Sequence, residues 1–364
     1  MTVAWPDPDI EPIDRVSPTF LSAMDQCLKR AAFRRDTKVR DWDRPSTRSA
    51  LGLAAHGVTE AVARRQYDTS EDLQDWLERT WSTSIALHQR RLSDAWDGRE
   101  IPEPRLWPGY ARTKTRLLRQ LRRQLERADI PGSAPLASPT PGRSHSTQHA
   151  SPPPLPWVEH GLEDPDCGVF GTPDRVELRG SELWVVDLKA GVHQGEMTSS
   201  QRRQLLIYAH LVKRCLGRLP DHACIQDVSG HESSFQVTLE ETAETIERVK
   251  ADVRDFNNSV RDAAVVGSPS PESCGRCPFR VVCHDYWDAS EGDWRFRGDV
   301  RGEIVDVDPD GWLLSDEAEP AVPRRLVGPD GLDARQGAAV VAVGCRPVGP
   351  RVLHATWDSR VRVF

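Results

Sequence analysis

The chain changes its hydrophobic period twice, and these two changes constrain its architecture more than any single motif does. Up to about residue 130, apolar residues recur at three and four positions, as in Leu51, Ala55, Val58 and Val62 or Leu117, Leu118, Leu121 and Leu125. That spacing belongs to amphipathic helices. Between Pro131 and Pro156 stand eight prolines with many Ser, Thr and His and almost no large apolar residues. Such a stretch cannot bury enough surface to order itself and reads as a flexible linker or insertion. Beyond it, short β-rich runs alternate with helical ones. From Trp294 to Phe364 the helical signals vanish and β-rich stretches alternate with turns such as Pro309-Asp310-Gly311 and Gly328-Pro329-Asp330-Gly331.

These shifts predict a helical region over 1–130, a linker over 131–156, a mixed α/β core over 157–290 and a small all-β domain over 291–364, with an OB-like barrel as one form for the last. In the first region, Ser17-Pro18 opens a helix that runs to about Phe33 and carries Cys27. Further helices are predicted from about Ser49 to Arg65, from Glu71 to about Ser93 with Ser70 as N-cap, and from about Ala111 to Ala128. In the core, strands Cys167 to Leu178 and Ser181 to Leu188 meet at the turn Arg179-Gly180. A helix from Ser199 to Leu216, strands at Ala223 to Val228 and Ser234 to Val237, and a long helix from Leu239 to about Val260 complete it.

Composition narrows the partners. The net charge of −7 excludes a surface coated in positive charge. No apolar window of about 18 residues and no secretory leader is seen, so a cytoplasmic chain without a membrane partner is expected. Basic residues are concentrated locally. Arg116, Arg119, Arg122, Arg123 and Arg127 cover the surface that the leucine stripe leaves on one helix, and Lys29, Arg30, Arg34 and Arg35 form a second run. Either is a candidate for a phosphate backbone or simply a solvated face.

Chemistry is concentrated at Asp174 and, thirteen residues on, at Asp187-Leu188-Lys189. Side chains alternate along a strand, so Asp187 and Lys189 share one face. If the preceding strand pairs with theirs, Asp174 converges on Asp187. Two carboxylates held together repel unless a proton or cation lies between them, and Mg²⁺ takes such oxygen ligands. Standing alone, Asp-x-Lys reads more readily as a surface ion pair on an edge strand, with Asp174 a turn residue. A second set is Cys274, Cys277 and Cys283, three potential thiolates in a tight loop. Zinc and iron-sulfur clusters both commonly take four ligands, so a distant donor is expected to complete the set. His284 or Cys27 with zinc remains an alternative. Cys167, Cys215, Cys224 and Cys345 read as ordinary buried thiols.

Four segments occur in an order that resembles the RecB-like branch of the PD-(D/E)xK nuclease superfamily: Gly52 to His56, Gly171 to Val176, Val186 to Lys189, and Gln204 to Tyr208. The resemblance, over about residues 17 to 288, implies the restriction-endonuclease-like α/β core and a Mg²⁺- or Mn²⁺-dependent deoxyribonuclease, exonuclease-like on single strands or duplex ends. It implies His56, Asp174 and Asp187 as metal ligands, Lys189 as the catalytic lysine, and Gln204 and Tyr208 as contacts to that lysine or to a substrate phosphate. Glu60, one helical turn from His56, is a candidate to hold the imidazole. Members with an iron-sulfur staple place one cysteine ahead of the core and three behind it. Ser17-Pro18, Cys27 to Phe33 and Cys277-Pro278-Phe279 match that pattern, which implies a 4Fe-4S cluster on Cys27, Cys274, Cys277 and Cys283. CRISPR-associated and RecB-type exonuclease domains are similar, so repair and phage defence are the pathways implied. No Gly-x-x-x-x-Gly-Lys-Ser/Thr loop is present, so unwinding would fall to a helicase partner. The alternative is a non-catalytic DNA-binding or assembly subunit that keeps this fold and staple.

Overall fold

The run Leu183-Trp184-Val185-Val186 lacks polar alternation because its strand is the middle one of five, flanked on both sides. The computed structural model describes residues 5–64, 71–128, 154–189, 196–290, 294–328 and 334–364. Most of the proline-rich stretch, the predicted cap Ser70 and the turn at 329–331 lie outside them.

Nine helices are seen among the described residues: α1 (Pro18–Gln26), α2 (Leu28–Arg35), α3 (Thr47–Ala63), α4 (Leu73–Ala95), α5 (Tyr110–Ala128), α6 (Ser199–Leu216), α7 (Leu239–Arg261), α8 (Pro271–Cys274) and α9 (His284–Ala289). The first sheet contains β1 (Trp157–Val158), β4 (Arg175–Arg179), β5 (Glu182–Lys189), β6 (His222–Asp227) and β7 (Glu232–Gln236) in the order β1-β4-β5-β6-β7. A separate hairpin joins β2 (Leu162–Asp164) to β3 (Val169–Gly171). Strand β5 is antiparallel to β4 and parallel to β6, with Asp187 opposite Ile225 and Lys189 opposite Asp227. The parallel pair requires a crossover, and α6 supplies it. One core packs α1, α6 and α7 against this sheet; a second joins α3, α4 and α5 around Trp76, Trp81 and Trp96.

Three local expectations are corrected. The helix predicted from Ser17 to Phe33 is two helices, broken at Cys27, whose backbone is extended at φ −175° and ψ 122°. Periodicity could not see the break, because good helix formers stand on both sides. The strand predicted from Cys167 to Leu178 is likewise two, β3 and β4, separated by the bend that holds Asp174. Asp72, rather than Ser70, caps α4, accepting from the amides of Gln74 and Asp75. By contrast, α6 spans the predicted residues, and α7 ends one residue from its predicted end.

Residues 300–363 form one seven-stranded sheet: β8 (Val300–Asp308), β9 (Gly311–Asp316), β10 (Arg324–Val327), β11 (Ala339–Val343), β12 (Arg346–Pro347), β13 (Val352–His354) and β14 (Arg360–Val363). Its order, β12-β13-β10-β9-β8-β11-β14, has two strands more than the five of an OB barrel. Strand β11 is buried along its whole length. Val340 and Ala342 enter the core of this sheet, while Val341 and Val343 enter another that contains Phe33, Phe279, Tyr286 and Trp287. Period-2 alternation thus glues the all-β unit to the cysteine-bearing segment. Asp299, 1% exposed, adds a polar node, accepting from Arg280 Nε at 2.8 Å and Tyr286 OH at 2.7 Å. Among the described residues no helix is long and apolar enough to cross a membrane.

Gly171 ends β3 beneath Tyr208. A Cβ there would stand 2.7 Å from Tyr208 Cε1 and 3.4 Å from Pro18 Cδ. Gly171→Ala should therefore displace the Tyr208 ring and cost about 1–3 kcal/mol of overpacking strain, read as a lower denaturation midpoint in urea with an unchanged slope.

Candidate active site

Alternation along β5 puts Asp187 and Lys189 on one face, and the Lys189 Nζ lies 2.7 Å from Asp187 Oδ2. The other oxygen, Oδ1, accepts from Gln204 Nε2 at 2.8 Å. Gln204 Nε2 also donates to Tyr208 OH at 3.1 Å, as their i, i+4 placement on α6 allows. Asp174, in the bend before β4, accepts the Leu188 amide on Oδ2 at 2.5 Å. That bond draws the bend onto β5 between its two functional residues, and it is why the carboxylates converge. From α3, His56 Nδ1 reaches 3.4 Å from Asp174 Oδ1.

Glu159 is the residue that sequence reasoning missed. It follows β1 at φ 49°, and its amide donates to the Asp174 carbonyl at 3.1 Å. Its carboxylate lies 3.8 Å from His56 Nδ1. The positive φ turns the chain where β1 leaves β4, and only the β1–β4 pairing reveals that this glutamate arrives beside His56 and Asp174. Glu60, expected to support His56, instead pairs with Arg64 at 2.6 Å.

Electrostatics follow from burial. Asp187 is 3% exposed. Burial, opposed by Lys189 and reinforced by the charge of Asp174, lifts its pKa to about 6. Burial also disfavours a charged His56, yet the carboxylates of Asp174 and Glu159 outweigh it and hold the imidazolium to about 10. The Tyr208 phenol is pushed up by burial and stays a neutral donor and acceptor. His56, Glu159 and Asp174 offer ligand atoms that all lie within 4.8 Å of one another. This set of hard oxygens with one imidazole fits a small divalent cation, and the imidazole favours Mn²⁺ beside Mg²⁺.

The site opens into a narrow cleft between α3, α5 and the ends of β5 and β6, lined by His56, Leu117, Gln120, Leu121, Leu188 and Lys189. Gln120 and Gln124 continue into a wider polar groove that Arg123, Arg175 and Glu177 line. Of the candidate DNA contacts, Arg123 therefore borders the wider groove, and Arg119 is exposed on the same helix. Arg116 is half-buried, and Arg122 is exposed and paired with Glu126 at 2.7 Å. The side chain of Arg127 is outside the described residues. Lys29 is corrected: it is 6% exposed and bonded to Asp285 at 2.8 Å, which makes it part of the packed fold. Arg30 is half-buried, lines the cysteine pocket and meets Gln26.

Cys27, Cys274, Cys277 and Cys283 line one pocket. The extended break between α1 and α2 points Cys27 at residue 268, whose amide donates to its Sγ at 3.4 Å. Arg280 Nη1 gathers the carbonyls of Cys274, Gly275 and Cys277 at 2.7, 3.2 and 3.3 Å. Burial pushes the Cys277 thiol up to about 11 and raises Cys274 and Cys283 as well. Of the remaining cysteines, Cys224 and Cys345 are buried as expected, Cys167 is half-buried and Cys215 is exposed.

Residues 15–284 match the family model described as the PD-(D/E)XK nuclease superfamily. No curated protein matches the chain.

The donor set predicts cation-dependent stability. Millimolar Mn²⁺ should raise the melting temperature of the wild type and leave Asp174→Asn and His56→Ala unmoved, because a ligand that binds only the folded state stabilises it by mass action. Equal shifts in all three, followed by differential scanning fluorimetry, would place the cation elsewhere.

Proposed function

The chain belongs to the PD-(D/E)XK nuclease superfamily, and from that premise we propose that it is a metal-dependent deoxyribonuclease that hydrolyses phosphodiester bonds at strand ends or in single strands. The observation that carries this is the convergence of His56, Glu159 and Asp174 as one donor group, tied through the Asp174–Leu188 bond to the Asp187–Lys189 pair, at a cleft that His56 and Lys189 line. His56, Glu159, Asp174 and Asp187 would hold the ion. When bound, it supplies Lewis-acid polarisation of a phosphoryl oxygen and a lowered pKa for water.

The protein's own groups do the rest. Lys189 reaches the cleft from its ion pair with Asp187, placing a cation where charge accumulates on the phosphate. Gln204 fixes the Asp187 carboxylate, and Tyr208 fixes Gln204. Leu117, Leu121 and Leu188 give the cleft an apolar wall beside Lys189. Arg123, exposed on α5, lines the groove along which a strand's phosphates would run.

Labelled single- and double-stranded DNA, incubated with Mn²⁺ or Mg²⁺, tests this. Asp187→Ala and Lys189→Ala should lose roughly 10³-fold or more of the rate, and Glu159→Gln about 10- to 100-fold. Cleavage by Lys189→Ala at the wild-type rate would sink the reading. A wild type that binds DNA without cutting would favour the non-catalytic subunit.

The same reading assigns the four cysteines a 4Fe-4S cluster that ties the α1–α2 break to the segment after α7. What supports it is the one pocket that all four cysteines line, with one of them ahead of the core and three behind it. Protein purified without oxygen should be brown, with broad visible absorbance that Cys277→Ser loses. A colourless protein with stoichiometric zinc on these thiols would reject the cluster.

A further inference from the structure

A second group of donors meets away from the catalytic cleft, where the β2–β3 hairpin rests on α6. Asp164 ends β2 and is 3% exposed. Cys167 stands in the turn to β3, and His210 projects from α6. One ligand atom from each, a carboxylate oxygen, Sγ and a ring nitrogen, lies within 4.8 Å of the other two. His210 Nε2 is 2.7 Å from Asp164 Oδ2.

The arrangement is held from outside. Asp164 Oδ1 accepts the Asp166 amide at 3.1 Å, which leaves Oδ2 for the imidazole. Gly168 takes φ +64°, and a Cβ there would stand 2.6 Å from the Asp14 carbonyl. The Val16 amide donates to the Gly168 carbonyl at 2.8 Å, so the turn that carries Cys167 is pinned against the N-terminal segment. Arg214 stays at the rim, 2.7 Å from Asp166 Oδ2 and 3.8 Å from Asp164 Oδ1. Cys167 and His210 are only half-buried, so an ion can reach them.

We propose that Asp164, Cys167 and His210 form a zinc site distinct from the catalytic cleft, with solvent in the fourth position. Hard cations such as Mg²⁺ select oxygen, whereas a carboxylate, a thiolate and an imidazole together select a borderline ion that accepts tetrahedral geometry. With bonds of about 2.0–2.3 Å, a tetrahedral zinc separates its ligand atoms by roughly 3.3–3.8 Å. Small side-chain rotations bring the three donors to that spacing. On binding, the Cys167 thiol gives up its proton to solvent, the hydrogen between His210 Nε2 and Asp164 Oδ2 leaves that nitrogen through solvent so that the neutral ring carries its hydrogen on Nδ1, and the two freed atoms each bond the metal. The site would lock the hairpin to the helix that carries Gln204 and Tyr208.

Zinc content, counted by elemental analysis after dialysis against limiting Zn²⁺, tests the site in the purified full chain with its four-cysteine site filled. Cys167→Ser and His210→Ala should each hold one equivalent fewer than the wild type. Asp174→Ala, which alters only the catalytic cleft, should keep that equivalent. Co²⁺ should give the wild type intense tetrahedral visible bands and a sulfur-to-metal charge-transfer band, both absent from the increment seen in Cys167→Ser. Equal zinc content and equal Co²⁺ increments would overturn the proposal and leave a hydrogen-bonded hairpin anchor. Should the variants fail to fold, the wild type decides alone: Zn²⁺ must slow alkylation of Cys167, followed by the mass of its peptide, and an unchanged rate rejects the site.

Discussion

A carboxylate almost wholly removed from water, Asp187, is the constraint around which the first sheet is organised. Left alone, such a group would take up a proton or cost several kcal/mol. It is instead placed between the Lys189 ammonium on one oxygen and the Gln204 amide on the other. Each partner comes from a structural necessity. Lys189 is two residues along the same strand, and Gln204 lies on the crossover helix that parallel pairing of β5 with β6 demands. Tyr208 closes the chain of bonds one turn later, over a glycine that leaves room for its ring.

Around that pair the charges are nearly balanced. Glu159, Asp174 and Asp187 contribute three carboxylates, against Lys189 and an imidazolium at His56 that its acidic neighbours hold in the charged form. A proton on His56 holds the place between Glu159 and Asp174 that a bound cation would take, and the cation would displace it. Such a site is electrostatically tense by construction, and tension of this kind belongs where chemistry rather than stability sets the residue types.

The C-terminal sheet is no loose appendage. Strand β11 sends alternate valines into two cores, one its own and one shared with the cysteine-bearing segment, and buried Asp299 fastens Arg280 and Tyr286 across the same seam. The acidic run from Asp306 to Glu319 is partly consumed internally. Asp308 pairs with Arg325 and Asp316 with Arg324. Whatever fills the pocket of Cys27, Cys274, Cys277 and Cys283 therefore bears on the β unit as well as on the helices.

Period and spacing by themselves determined the mixed α/β core, the all-β C-terminal unit, the limits of α6 and the shared face of Asp187 and Lys189, because each depends only on neighbours along one strand or helix. They also marked His56, Asp174, Gln204 and Tyr208 through an ordered resemblance. Tertiary structure decided the rest. It chose Glu159 over Glu60 as the companion of His56, broke the first helix at Cys27, and turned Lys29 from a candidate phosphate contact into a buried partner of Asp285. These outcomes arise from contacts between segments far apart in the chain. A local pattern records what a residue prefers, and only the packed neighbours determine which of its partners is within reach.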